Sequence, residues 1–155
     1  MDVRFMEMAV RMANENVLAK NGGPFGAIIV KDGTVIGRGC NSVTTANDPT
    51  AHAEVQAIRD ACRHLHSFQL TDCDIYTSCE PCPMCIGAIY WARPKAVYYA
   101  STKEDAAHIG FDDHFIYQEI SIPAENRTLK MERLSYNGHD LPFRAWETTN
   151  DKVNY

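Results

Sequence analysis

The sequence of 155 residues lacks any long apolar run, any basic cluster and any repeat or low-complexity linker. No stretch approaches the roughly 18 apolar residues of a membrane-spanning helix, and residues 1–6 lack the apolar core of a signal peptide. The 15 Lys and Arg residues are scattered along the chain, which argues against a surface that tracks phosphates. These absences predict a cytoplasmic protein without a membrane or nucleic-acid partner.

The composition is that of an ordinary globular domain. Hydrophobic residues make up 45% and charged residues 23% of the chain, and the net charge is -5. We therefore expect a single domain over residues 1–155, large enough to bury a core without covalent staples. The six cysteines are better explained by reduced thiols with a metal site than by disulfides. Three of them, Cys79, Cys82 and Cys85, follow one another with only two residues between each pair.

Apolar periodicity predicts alternating helices and strands. Residues 25–31 and 35–40 read as a hairpin around the turn Asp32-Gly33, and further strands are expected at 73–78 and 96–99. The amphipathic helices are predicted near residues 6–17, 51–65 and 83–91. In the second of these, the expected buried face comprises Ala51, Val55, Ile58, Cys62 and Leu65. After Gly110 we expect a helix at 111–120, a strand at 128–134 and a short helix at 142–148. This order indicates a sheet with helices on both faces.

Two short motifs carry the chemistry. His52 and Glu54 open the second helix, and the sequence Pro-Cys-x-x-Cys places Cys82 and Cys85 at the start of the third. Positions i and i+2 lie about 200° apart on a helix, so His52 and Glu54 can share a target only beyond its N-terminal end. A helix N-terminus also favours thiolate over thiol. We therefore place a metal ion where the two helix N-termini meet.

The donor set indicates a hydrolytic zinc centre. His52, Cys82 and Cys85 supply three ligands, which leaves a fourth position for water, whose pKa falls to about 7 on zinc. Glu54 is then free to carry a proton from this water to a substrate nitrogen and leaving amine, a task typically worth about 10²–10⁴ in rate. A His-x-Glu paired with Pro-Cys-x-x-Cys is the arrangement of zinc deaminases that act on nucleobases.

Other interpretations remain open at this point. Cys79 precedes Cys82 by three residues, so a closed site with three cysteines and one histidine, or a dithiol redox pair, is conceivable. Both alternatives leave Glu54 without a role. The other cysteines fall within helix or strand patterns and are expected in the core: Cys40, Cys62 and Cys73. Phe25 and Trp91 would by default be core aromatics.

Longer motifs carry a resemblance to a known family. These are residues 22–27, 50–54, 76–95 and 110–113, together with the terminal Tyr155. The chain resembles the bacterial guanine deaminases of the cytidine-deaminase-like superfamily, densely over residues 22–120 and thinly over 121–150. The resemblance implies a three-layer α/β/α fold whose mixed five-stranded sheet carries helices on both faces. It also implies conversion of guanine to xanthine and ammonia, a step of purine salvage or catabolism.

The resemblance assigns roles residue by residue. It implies that one zinc ion per subunit is held by His52, Cys82 and Cys85, and that Glu54 shuttles protons. The implied purine contacts come from Asn41, the Ala53 backbone, and a sandwich of Phe25 and Trp91. Asp113 would recognise guanine and move protons to the leaving amine. Residues 121–155 would cross to the partner in a domain-swapped homodimer, where Tyr155 closes the partner's site.

Elementary chemistry agrees with a guanine substrate. A neutral, planar base needs aromatic faces and a few fixed polar groups rather than a basic surface. A carboxylate suits the N1–H and amino donors of guanine, whereas adenine has no N1–H. Guanosine, cytosine and tRNA adenosine remain alternative substrates, and a non-catalytic module with a structural zinc remains an alternative of another class.

Overall fold

A mixed four-stranded sheet organises the first of two compact units in the computed structural model, which describes residues 1–155. The units are Met1–Asp113 and His114–Tyr155. The strands, which lie in the spatial order β2-β1-β3-β4, are β1 (Gly26–Lys31), β2 (Thr34–Cys40), β3 (Cys73–Cys79) and β4 (Ala96–Ser101). Strand β1 is antiparallel to both β2 and β3, and β4 is parallel to β3. The prediction of a mixed sheet is confirmed, whereas the prediction of five strands is wrong.

Helices cover both faces of this sheet, as predicted. The helices of the first unit are α1 (Val3–Leu18), α2 (Val43–Ala46), α3 (Ala53–Leu65), α4 (Pro83–Ala92) and α5 (Lys103–His108). Helix α1 packs through Phe5 and Met6 on the face that carries Ile28 and Tyr76. The opposite face forms a larger core with α3 and α4, whose buried members include Ile29, Ile75, Ala57 and Ile89. No helix is both long and apolar enough to cross a membrane.

Helix α3 lies unusually close to strand β2 because both elements present small residues at the contact. A Cβ atom added to Gly39 would come within 2.1 Å of the Ala53 carbonyl oxygen, and one on Gly37 within 2.6 Å of the Ala57 carbonyl oxygen. Side chains larger than hydrogen at these two positions would push the helix away. The close approach therefore sets the position of the N-terminal end of α3, where His52 and Glu54 lie.

The buried face of α3 differs from the predicted one. Its most buried apolar residues are Ala53, Ala57 and Ala61, whereas the larger side chains Val55, Ile58, Cys62 and Leu65 are only partly buried. The prediction centred the buried face on the larger apolar side chains. The helix instead packs against the sheet through its smallest side chains, the three alanines. The helices α2 and α5 were not predicted, since both are shorter than two turns.

The second unit contains α6 (His114–Ser121), a 3₁₀ turn (Ala124–Asn126) and α7 (Leu141–Thr148). The strand predicted at residues 128–134 is absent, and every residue of this segment is exposed. Its backbone is irregular because no neighbouring strand pairs with it. Neither helix of this unit has a buried residue. Its large apolar side chains are instead exposed, including Phe115, Leu134, Tyr136 and Phe143.

Candidate metal and active site

Two helix N-termini bring three metal-binding side chains together. His52 is the N-cap residue of α3, Cys82 is the N-cap residue of α4, and Cys85 lies in the first turn of α4. The His52 Nδ1 atom lies 3.5 Å from the Sγ atoms of both cysteines. All three donor atoms lie within 4.8 Å of one another. Strand β3 delivers the cysteine pair, because it ends at Cys79 just before α4 begins.

These separations fit a tetrahedral zinc ion. Zinc binds sulfur at about 2.3 Å and imidazole nitrogen at about 2.0–2.1 Å, so tetrahedral ligands place N and S roughly 3.5–3.6 Å apart. The observed separation of 3.5 Å between the His52 nitrogen and each sulfur matches this value. One borderline nitrogen and two soft sulfur ligands are also the donor types that zinc favours. The three residues therefore can hold zinc and leave one coordination position for a further ligand.

The two thiols of the site are electrostatically unequal without metal. The pKa of Cys82 is lowered to about 4, first by the neighbouring Cys85 side chain and also by His52 beside it. The pKa of Cys85 is raised, first by the neighbouring Cys82 sulfur and then by burial. The Cys82 sulfur in turn raises the pKa of His52. The lowered pKa of Cys82 favours its thiolate, which is the form of cysteine that binds a metal ion.

Glu54 lies beside the ligand trio but is held by other groups. Its side chain is 5% exposed, and burial raises its pKa. The Oε1 atom accepts a hydrogen bond of 3.0 Å from the Thr77 hydroxyl, and Oε2 accepts one of 3.4 Å from the Cys85 thiol. Burial favours the protonated carboxyl group over the carboxylate, which suits a group that takes up and releases protons.

Cys79 lies outside the ligand trio. It is the last residue of β3, and its thiol donates to the Thr102 carbonyl oxygen at 3.4 Å. Burial raises its pKa to about 11, so this thiol keeps its proton. The group of residues able to hold a metal comprises His52, Cys82 and Cys85 without Cys79. A closed site with three cysteines is therefore not the arrangement in this structure.

Asn41 is fixed by a buried hydrogen-bond network. Its Oδ1 atom accepts from the backbone N–H groups of Gly23 and Val43, at 3.0 and 3.4 Å. These two donors settle the orientation of the carboxamide and leave its Nδ2 group to donate elsewhere. The Asn16 side chain donates to the carbonyl oxygens of Asn41 and Gly23 at 2.8 and 3.0 Å. Asn41 thus presents a preset hydrogen-bond donor.

The remaining predicted residues differ in their surroundings. Phe25 contacts Phe111 edge to face, with ring centroids 5.0 Å apart, so the motif at residues 110–113 reaches Phe25 through its phenylalanine. The pKa of Asp113 is raised by burial and then by the charge of Cys82. Trp91 is 64% exposed, so its default interpretation as a core aromatic is wrong. Tyr155 belongs to the second unit, and Ala53 is fully buried at the start of α3.

Three residues at this site were not predicted from the sequence as functional residues. Asn16 is a buried polar residue within the apolar stripe of α1, and this interruption of the stripe was a usable signal. Thr77 follows Cys73 and Ile75 on one face of β3, but its partner Glu54 is distant in sequence and could not be inferred. Phe111 was noted only as part of a motif, and no pattern indicated its contact with Phe25.

Comparison with protein families supports the interpretation of His52, Cys82 and Cys85 as a zinc site. A family model described as the cytidine and deoxycytidylate deaminase zinc-binding region matches residues 1–101. This match covers the sheet, α3, α4 and the three metal-binding side chains.

The chain belongs to this deaminase family.

Members and solved structures of the family extend the likeness to the whole chain. The guanine deaminase of Bacillus subtilis is 60% identical over 151 residues, which cover 97% of each chain. The X-ray structure of guanine deaminase from Bacillus subtilis has a TM-score of 0.98 and 58% identity, and the match covers 100% of this chain and 99% of that one. The tRNA-specific adenosine deaminase of Aquifex aeolicus is 38% identical over 128 residues, 83% of this chain and 82% of the other. The resemblance found in the motifs is thereby confirmed.

The ligand trio can be tested by metal analysis of three serine variants. We expect Cys82→Ser and Cys85→Ser to lose most bound zinc, because a hydroxyl is a poor substitute for thiolate. Cys79→Ser serves as the matched control. It should keep the zinc content of the unmodified protein, since the Cys79 thiol donates to the Thr102 carbonyl oxygen and is not a metal ligand. Zinc should also raise the melting temperature of metal-free unmodified protein and of Cys79→Ser, but not of Cys85→Ser. Loss of zinc from Cys79→Ser would contradict the assignment.

Proposed function

We propose that this deaminase hydrolyses guanine to xanthine and ammonia in a zinc-dependent reaction. The observation that carries the proposal is the 60% identity to a guanine deaminase across 97% of both chains. The ligand trio of this chain, with Glu54 held against it through the Cys85 thiol, supports the same reaction class. The class of reaction is therefore inferred from the metal-binding side chains. Guanine is inferred as the substrate from the similar guanine deaminase and from the polar groups near the site.

The zinc ion, one per subunit, would be held by His52, Cys82 and Cys85. Two thiolates offset the charge of the ion, and the imidazole completes three protein ligands. When bound, zinc supplies a Lewis acid that brings the pKa of water to about 7 and so makes it nucleophilic at neutral pH. The helix N-termini of α3 and α4 reinforce the anionic form of the sulfurs through their unpaired N–H groups.

Glu54 moves the protons that the hydrolysis requires. A bond forms between water oxygen and C2 of guanine, and the bond from C2 to the exocyclic amine breaks. Glu54 takes one proton from the water and delivers it to N3 of the ring, then carries the next to the departing amine, which leaves as ammonia. Its raised pKa suits this role, because burial stabilises the protonated form relative to the carboxylate.

Guanine recognition is assigned to fixed polar groups and to aromatic faces. The Nδ2 group of Asn41 is a donor whose orientation is set by Gly23, and it suits an acceptor such as O6 or N7 of the purine. The Ala53 backbone at the start of α3 adds a further contact. Phe25, already braced by Phe111, and Trp91 are proposed to cover the two faces of the ring.

Asp113 is proposed as the second carboxylate of the reaction. Guanine presents donors at N1 and at its exocyclic amine, and a carboxylate accepts from both. The pKa of Asp113 is raised by burial and by the Cys82 sulfur, which is consistent with a position near the ligand trio. Asp113 can also act as the relay through which the second proton taken up by Glu54 reaches the leaving amine.

The competing substrate is adenosine in tRNA, which the relative from Aquifex aeolicus is named for. That relative is 38% identical over 128 residues, and a zinc-binding deaminase region as such does not discriminate between the two substrates. A tRNA substrate needs a cationic surface, whereas this chain has a net charge of -5 with scattered basic residues. The charge balance therefore favours a free base as the substrate.

The second unit supports a homodimer with exchanged C-terminal segments. Its large apolar side chains are exposed, as illustrated by Leu134 at 87%, Phe143 at 69% and Tyr155 at 70% exposure. A unit with so much exposed apolar surface is expected to be covered by another surface. We assign that surface to a second copy of the chain, so that residues 121–155 serve the partner's site within a single deaminase domain of 155 residues.

We also propose that the enzyme works in the cytoplasm on a free purine. All six cysteines are free thiols in the structure, as expected in a reducing compartment. The ligand pair Cys82 and Cys85 needs that environment, because a disulfide between them would abolish zinc binding.

A panel of substrates tests the reaction and its specificity together. Ammonia release is measured with guanine, guanosine, adenine, cytosine, cytidine and a tRNA anticodon arm, using zinc-loaded protein. We expect kcat/KM for guanine to exceed that for each other substrate by about 100-fold or more. The control Glu54→Gln keeps the shape and the zinc but should lose at least about 10²-fold in turnover. Faster release from the tRNA arm, or full activity of Glu54→Gln, would contradict the proposal.

Mixed dimers test whether the C-terminal segment acts on the partner. Glu54→Gln and Tyr155→Ala are each expected to be nearly inactive as pure proteins. If the segments exchange, a mixed dimer has one site that combines intact Glu54 with intact Tyr155. Unfolding and refolding the two variants together in equal amounts should then restore roughly a quarter of the unmodified activity. No recovery in a demonstrated mixed dimer would show that Tyr155 acts within its own chain.

A further inference from the structure

Thr77 is the one hydroxyl on an otherwise apolar face of β3. Side chains two residues apart in a strand share a face, and Cys73 and Ile75 on this face belong to the main core. Thr77 has no solvent exposure, and its hydroxyl donates to Glu54 Oε1 at 3.0 Å. Valine has nearly the same shape and would fill this place in the core without a polar group. The hydroxyl group of Thr77 therefore serves the contact with Glu54 rather than the packing of the core.

The two oxygens of Glu54 are held differently. Oε1 accepts from the Thr77 hydroxyl, whereas Oε2 accepts from the Cys85 thiol at 3.4 Å and so faces the ligand trio. A cysteine that binds zinc does so as thiolate and has no proton to donate. The contact to Oε2 is thus available only in the metal-free protein. The Thr77 contact involves no metal-binding group, so loss of the Cys85 proton on metal binding does not remove it.

We propose that Thr77 is a positioning residue for Glu54, which anchors Oε1 so that Oε2 remains the oxygen that carries the proton. The inference rests on the proposed function, in which Glu54 moves protons during hydrolysis. The hydroxyl keeps its own proton throughout, donates to Oε1 whether Oε2 is protonated or not, and takes no part in bond making. Thr77 therefore sets the direction of proton transfer without contact to the substrate.

The matched pair Thr77→Val and Thr77→Ser tests this role. Valine removes the hydroxyl and keeps the volume, so we expect kcat to fall roughly 10–100-fold, as for other residues that orient a catalytic group. The value of KM and the zinc content should stay close to those of the unmodified protein, because Thr77 contacts neither substrate nor metal. Serine keeps the donor and should retain most of kcat. If the valine variant does not accumulate, Thr77→Ala supplies a second variant without the hydroxyl.

Crystal structures of the metal-free variants provide a readout that is independent of activity. In the unmodified protein and in Thr77→Ser, the Glu54 carboxylate should keep its position against residue 77. In Thr77→Val it should rotate away or show higher displacement parameters, because a buried carboxylate oxygen has lost its donor. The metal-free form is informative since the contact is present without zinc.

The outcomes separate the inference from the function. Unchanged kcat in Thr77→Val, an unmoved Glu54 in its crystal structure, or equal loss in the valine and serine variants would overturn the role of Thr77. Absence of guanine turnover in the unmodified protein would overturn the proposed function instead, and the crystal structures would still decide whether Thr77 positions Glu54.

Discussion

The close approach of α3 to strand β2 determines where the chemistry takes place. Gly39 and Ala53 pack so tightly that no larger side chain fits between these two elements. The N-terminal end of α3 is thereby held against the sheet, and His52 is presented at its cap. Strand β3 brings the start of α4 to the same place, with Cys82 as its cap. The metal-binding trio is thus a consequence of backbone packing rather than of loops that could move independently.

The same packing buries the side chain of Glu54 at the start of α3, which costs hydration free energy. A carboxyl group with 5% exposure loses most of its hydration, which is unfavourable unless hydrogen-bond donors replace the water. Thr77 and Cys85 supply these donors on opposite oxygens. The same burial raises the pKa of Glu54, which is the property that the proposed proton transfer needs.

The ligand trio could be inferred from the sequence because its geometry is local. Cys82 and Cys85 are three residues apart at a helix start, and this spacing alone brings their sulfurs together. Contacts that depend on strand register or on packing partners could not be inferred, including the alanine stripe of α3 and the bond between Thr77 and Glu54. The strand predicted at residues 128–134 failed for a related reason, since apolar content cannot show whether a neighbouring strand exists.

A metal ion at this site is expected to keep one coordination position for a ligand from outside the chain. X-ray absorption spectroscopy at the zinc edge of the loaded protein measures this directly. We expect two sulfur ligands at about 2.3 Å, one imidazole nitrogen, and one further light atom that changes when a guanine analogue is added. Three sulfurs with one nitrogen, unaffected by the analogue, would instead show a closed structural site without a place for water or substrate.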